Sequence, residues 1–136
     1  MKIRKIIPSE TSRIPEIEEW VLNSISELKL SEEKSNLIGM AVSEAISNSI
    51  IHGNKSDPNK KVEVTIELID EKLIITFKDE GNGFIPEDVP DPTLPENMMK
   101  ESGRGIHIMK TIIDDVKYNF TEDGTELVLT INMNKE

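Results

Sequence analysis

Cysteine is absent from this 136-residue chain, which removes disulfides, thiolate metal sites and a cysteine nucleophile together. Histidine is almost absent too, and His52 and His107 are too few for a histidine-rich metal cluster. Aromatic residues make up 4% of the sequence, so Ile, Leu, Val and Met must build most of the core. Arginine is limited to Arg4, Arg13 and Arg104, and no basic stripe forms. With 16 Lys and Arg against 26 Asp and Glu, the net charge is −10, so direct binding to nucleic acid or to an anionic membrane surface is not expected. No apolar run reaches membrane-spanning length, and the opening MKIRKIIPSE lacks the apolar centre of a signal peptide. A cytoplasmic protein is therefore expected.

What is present fits one domain over residues 1–136, large enough for a single core. The stretch NLIGMAVSEAISNSIIH, Asn36 to His52, stands out in a chain that is 31% charged. Glu44 is its one formally charged residue if His52 is neutral. Apolar and small residues at helical spacing mark a mostly buried helix. Asn48 follows Glu44 by one turn, so both project from the same face. A carboxylate and an amide are costly to bury unless a metal, a polar ligand or a hydrogen-bond network meets them. Taken alone, a structurally satisfied Glu–Asn pair explains that face equally well.

The remaining elements follow from periodicity and turn residues. Lys2 to Ile7 reads as a strand ended by Pro8, and Thr11 to Leu28 as an amphipathic helix. Ser31 is placed to open the second helix, which runs to about Ile51. Gly53 sits where a helix C-cap often sits. Lys61–Ile69 and Lys72–Phe77 alternate around Asp70–Glu71 as a hairpin. Four of the seven prolines then fall between Asp79 and Ser102, a segment without periodicity that reads as a lid at about residues 83–102. A short helix over Gly105–Ile113 and strands over Val116–Phe120 and Glu126–Met133 complete the order. The expected class is α+β, a two-layer sandwich with helices on one face of a mainly antiparallel sheet.

The glycines gather at element ends: Gly81 and Gly83 after a strand, Gly103 and Gly105 before a helix, Gly124 in the last hairpin. A glycine-preceded helix N-terminus is a ready anion site, because its free N–H groups and dipole favour negative charge. Singly these are ordinary turns. In order, EAISNSIIHGN, DEGNGF, GRGIHIM and GTEL resemble the N-box and glycine boxes of the GHKL-type ATP-binding fold. The small size and the GRG form look most like the anti-sigma factor serine kinases, the bacterial partner-switching kinases of that superfamily.

That resemblance implies an ATP-dependent serine/threonine protein kinase. Such a protein also acts as an anti-sigma factor, binding a sigma factor and phosphorylating an anti-anti-sigma protein of the STAS type. It implies ATP and Mg2+ as cofactors and a homodimer as the assembly. It implies that Asn48 ligates the magnesium and that Glu44 is the general base for the attacking hydroxyl. Asp79 then accepts a hydrogen bond from the adenine amino group, and Gly81 and Gly83 let the backbone pass close to base and ribose. Gly103, Arg104 and Gly105 cradle the phosphates as the lid closes, and Thr125 reaches the adenine pocket. His52 reads as a helix-end or pocket-edge residue rather than a metal ligand. His107 departs from the family pattern, where a bulky apolar residue is usual, and reads as a packing or surface residue. The rival is a non-catalytic ATP-binding module that sequesters a partner, but such a module has no need of a base at Glu44. A sensor histidine kinase fragment is a weaker rival, since no helical segment with a phosphoacceptor histidine precedes the boxes.

Overall fold

Alternation of apolar and polar residues dictates the sheet, in a computed structural model that describes residues 2–81, 113–121 and 124–133. In chain order the strands are β1 (Lys2–Pro8), β2 (Lys61–Ile69), β3 (Lys72–Lys78), β4 (Asp115–Thr121) and β5 (Gly124–Asn132). They pair in the order β1-β2-β3-β5-β4, and each of these pairings is antiparallel. The register sets Val64 opposite Phe77, Ile66 opposite Ile75 and Leu73 opposite Ile131. These residues all point to one face and all are buried. A shift of one residue would turn that whole set outward, so burial of one face fixes the register.

Two helices cover that face. Helix α1 (Ile14–Ser24) contributes Ile17 and Val21, and helix α2 (Glu32–Asn48) contributes Ile38, Val42 and Ile46 at four-residue spacing. Each such side chain removed from water is worth about 1.5–3 kcal/mol. Ser31 caps α2 as expected, its Oγ accepting the Lys34 N–H at 3.1 Å, and Glu32 and Glu33 place negative charge in the first turn.

The first helix is shorter than the expected Thr11–Leu28. Thr11–Arg13 and Ser26–Leu28 are 3-10 turns flanking α1. Pro15 lies in the first turn of α1, where its missing N–H leaves no bond unmade. At the other end Ser24 Oγ donates to Trp20 O and Ser26 Oγ to Asn23 O, so hydroxyls compete for the carbonyls of the last turn.

The second helix runs past Asn48 into a π-helical turn, Ser49–Gly53, with Asn54 N–H donating to Ser49 O at 2.9 Å. Gly53 is therefore not a left-handed cap; the next residue, Asn54, keeps a right-handed backbone with φ −91°. The hairpin at Asp70–Glu71 is present, with both residues at positive φ, 47° and 66°. The expected lid at 83–102 and the helix expected over Gly105–Ile113 lie outside the described residues, Ile113 excepted.

Candidate functional site

Asp79 occupies the first position beyond β3, on the inward parity already set by Leu73, Ile75 and Phe77. The alternation that built the core thus delivers a carboxylate to its edge, beside the end of α2. Asp79 is 3% exposed. Its N–H donates to Thr125 O at 2.9 Å, continuing the β3–β5 ladder. The reciprocal donor, Thr125 N–H, goes to the side-chain Oδ1 at 3.1 Å, and Gly81 N–H reaches the same oxygen at 2.9 Å.

Close approach of backbone makes this possible. A Cβ on Gly53 would lie 2.0 Å from Asp79 Oδ2, so the π-turn comes against the carboxylate only because residue 53 has no side chain. A Cβ on Gly124 would lie 1.9 Å from the Asp79 carbonyl oxygen, and Gly124 also holds φ +146°, which L side chains rarely adopt. Gly81 completes the cradle, packed against the Gly53 carbonyl.

Burial pushes the Asp79 carboxyl above its ordinary pKa of 3.8, opposed by the Gly81 and Thr125 N–H groups and by the charge of Lys60. Desolvation wins, as expected for a carboxylate taken from water with two neutral donors as its main compensation. The result is a rigid oxygen acceptor inside a narrow, glycine-walled corner. Such a group can accept a hydrogen bond from an amino donor.

Of the residues singled out from sequence, the structure brings Asp79, Gly81 and Thr125 into direct contact. Thr125 engages through its backbone, and it is buried with 3% exposure. Glu44 and Asn48 lie one turn apart on α2, both half-buried. Their stripe is flanked by the exposed Met40 and Ile51. His52 falls in the π-turn that closes against Asp79. Gly83, Gly103, Arg104, Gly105 and His107 lie outside the described residues. Among the described residues, no three His, Cys, Asp or Glu side chains converge as metal ligands, and no helix is long and apolar enough to cross a membrane.

Sequence reasoning missed Asn54 and Ser9. Asn54 has no exposure; its Nδ2 donates to Ser9 Oγ at 2.6 Å and to Lys61 O at 3.0 Å, and its Oδ1 accepts the Glu80 N–H at 2.7 Å. In the run HGNKSDPN an asparagine reads as loop filler, and no spacing signals that it is buried.

Residues 7–131 match the histidine kinase-like ATPase domain family. The chain is 34% identical over 120 residues to the anti-sigma F factor of Bacillus velezensis, covering 85% of this chain and 81% of that one. The Bacillus subtilis anti-sigma F factor matches with the same identity and coverage. Among solved structures, the RsbU and RsbW domains of Rv1364c from Mycobacterium tuberculosis superpose with a TM-score of 0.68 at 14% identity. That match takes in 97% of this chain but 32% of the longer protein. The catalytic domain of the histidine kinase ThkA gives 0.55 at 15% identity, covering 98% and 99% of the two chains. At such identities the structural likeness speaks for the fold, and the family follows from the sequence matches. The chain belongs to the histidine kinase-like ATPase family, in the group that contains the anti-sigma F factors.

Proposed function

We propose that this protein is an ATP-dependent serine/threonine protein kinase and anti-sigma factor of the bacterial cytoplasm. It binds a sigma factor as a homodimer and phosphorylates an anti-anti-sigma protein of the STAS type. The observation that carries the reading is the Asp79 carboxylate, held as a buried acceptor by Gly81 and Thr125 with the Gly53 backbone against it. An acceptor fixed there pairs with the amino group of adenine and meets the carbonyl oxygen of guanine unfavourably.

The residues present suit Mg2+ and ATP. The Asn48 amide oxygen is a hard donor fit for a cation that takes its other ligands from phosphate and water. Magnesium supplies charge stabilisation to the phosphoryl group when bound. Glu44, one turn earlier on the same half-buried stripe, accepts the proton of the substrate hydroxyl. Asp79 orients the nucleotide by its base, and His52 edges the pocket. Gly83, Gly103, Arg104 and Gly105 are assigned from the sequence pattern to the base, ribose and phosphates. The acidic chain is suited to encounter with basic patches on a protein partner, which speeds association without naming the partner.

The test pairs binding with transfer. Calorimetry should show ADP and ATP binding in the presence of magnesium, with GDP weaker. Labelled ATP should pass its γ-phosphate to a purified anti-anti-sigma protein, and Glu44→Gln should slow that transfer by roughly 10²–10⁴-fold while sparing nucleotide affinity. No heat and no thermal shift with either adenine nucleotide would sink the reading. Binding without transfer would leave the sequestering module in its place.

A further inference from the structure

We propose that Asn54 is a positioning residue that fixes the peptide plane between Asp79 and Glu80, and through it the carboxylate that selects adenine. The inference rests on the role given to Asp79 above. It assigns work to the last residue of the segment EAISNSIIHGN, which was given no role from the sequence and contacts no part of the Asp79 carboxylate in the bonds described.

The Asn54 amide joins three segments. Its Nδ2 uses both protons, one on Ser9 Oγ just after β1 and one on Lys61 O at the start of β2. Its Oδ1 takes the Glu80 N–H, in the turn that leaves β3. The backbone of Asn54 is occupied as well, donating to Ser49 O at 2.9 Å and accepting from Asp57 N–H at 3.1 Å. A buried amide with these bonds made has one orientation available to it, because any flip would bring donors against donors.

The consequence falls on Asp79. Its peptide link to Glu80 is held from both sides, the N–H by Asn54 and the carbonyl against the space left by Gly124. The Asp79 N–H is held in turn by Thr125 O. The carboxylate therefore inherits its position from two anchors, the end of α2 through Asn54 and the start of β5 through Thr125. The Glu80 side chain adds a second tie to β2 by accepting the Lys61 N–H. Ser9 closes the far side of the network by donating to Lys60 O at 2.8 Å. One of the three side-chain bonds of Asn54 reaches the Asp79 turn, and the other two reach β1 and β2. Positioning and stability can thus be separated by mutation.

The experiment measures ADP and GDP binding to the full chain by calorimetry with magnesium present, alongside thermal melting, for wild type, Asn54→Ala, Ser9→Ala and Asn54→Asp. Asn54→Ala should weaken ADP about tenfold or more and shrink the preference for ADP over GDP, since an unpaired Glu80 N–H frees the turn. Ser9→Ala should lower the melting temperature and leave the preference intact. Asn54→Asp keeps an oxygen facing the Glu80 N–H and loses the donors to Ser9 and Lys61; it should melt lower with its preference kept. A folded Asn54→Ala with wild-type ADP affinity and preference overturns the proposal. Where Asn54→Ala does not fold, Asn54→Asp decides, and loss of its preference overturns the proposal. A wild type without adenine preference overturns the reading of Asp79 and this inference with it; a wild type that has the preference and an Asn54→Ala that keeps it overturn this inference alone.

Discussion

Phe77 and Asp79 stand two residues apart on one face of the sheet, 0% and 3% exposed, and opposite physics holds them. Phe77 lies in the apolar core, paired with Val64 and Leu127 on the neighbouring strands, where any apolar group of the right volume serves. Asp79 is surrounded by N–H groups and by glycines, where only this geometry serves. The core around Phe77 tolerates exchange of side chains and resists loss of volume. The Asp79 corner resists the addition of a single methyl group. On the proposed reading of Asp79, the molecule stores stability in one region and selectivity in its neighbour, two residues away.

The comparison breaks if both regions answer alike to mutation. Phe77→Ala should destabilise the fold by about 3–5 kcal/mol, through lost burial and the cavity left behind. Nucleotide affinity per folded molecule should change little. Gly53→Ala should do the reverse. Its methyl would meet Asp79 Oδ2 at 2.0 Å, and the carboxylate must swing off the Gly81 and Thr125 N–H groups to make room. ADP binding should become undetectable at concentrations that saturate wild type, with a stability loss of about 1–2 kcal/mol, near that of the two hydrogen bonds given up. Urea unfolding and calorimetry on the same two variants check both halves. A Gly53→Ala protein that binds ADP normally would show that the corner is softer than its contacts suggest.

Asp79→Asn sharpens the same contrast by pH. Burial holds the Asp79 pKa above 3.8 in the folded protein, so the folded state keeps this proton to higher pH than the unfolded chain does. The stability this gives is complete below 3.8 and is lost as pH rises through the raised value. Asparagine has no such proton. The unfolding free energy of wild type minus that of Asp79→Asn should therefore fall as pH climbs from 3.8 towards neutrality. Near neutral pH the variant should be at least as stable as wild type while losing its preference for adenine over guanine. A wild type that gains on the variant with rising pH would reverse the sign and remove burial as the dominant cause.

The two regions were also unequally legible in the sequence. The sheet and the two helices follow from alternation and helical spacing, because each buried residue leaves a periodic trace. The ends of the first helix do not, since Ser24 and Ser26 act through hydroxyl bonds to particular carbonyls that no periodicity records. Asp79 and Gly81 were found through a motif, and Thr125 with them, although its link to Asp79 runs through backbone atoms that any residue supplies. Gly53 was read from the sequence as a helix-end residue, and it does end the π-turn; the close approach to Asp79 that requires a glycine there left no signal. Asn54 ends the segment EAISNSIIHGN yet drew no role, because an asparagine entering a polar loop looks the same whether it is buried or solvated. Burial of apolar groups is written in spacing, and burial of polar groups is written in partners that are distant in sequence.

The smallest effect tests whether the far end of the sheet is independent of the corner. Asp70 and Glu71 both hold positive φ in the β2–β3 turn, the geometry in which two-residue hairpins favour asparagine and glycine. Glutamate at φ 66° bears a steric cost of about 1–2 kcal/mol. Glycine relieves it but adds freedom to the unfolded chain worth about 0.4–1 kcal/mol. The Glu71 carbonyl accepts from Met133 N–H at 2.8 Å, a backbone bond that glycine retains. These two terms largely offset, so Glu71→Gly should shift stability by no more than about 1 kcal/mol. The denaturant midpoint should move little, with an unchanged slope. Residue 71 lies about 25 Å along β3 from Asp79, at the rise of an extended strand, well beyond the distance at which mutations couple. ADP affinity should stay at the wild-type value. A change in ADP affinity with Glu71→Gly would mean that β3 transmits strain along its length, and that stability and selectivity are not stored apart.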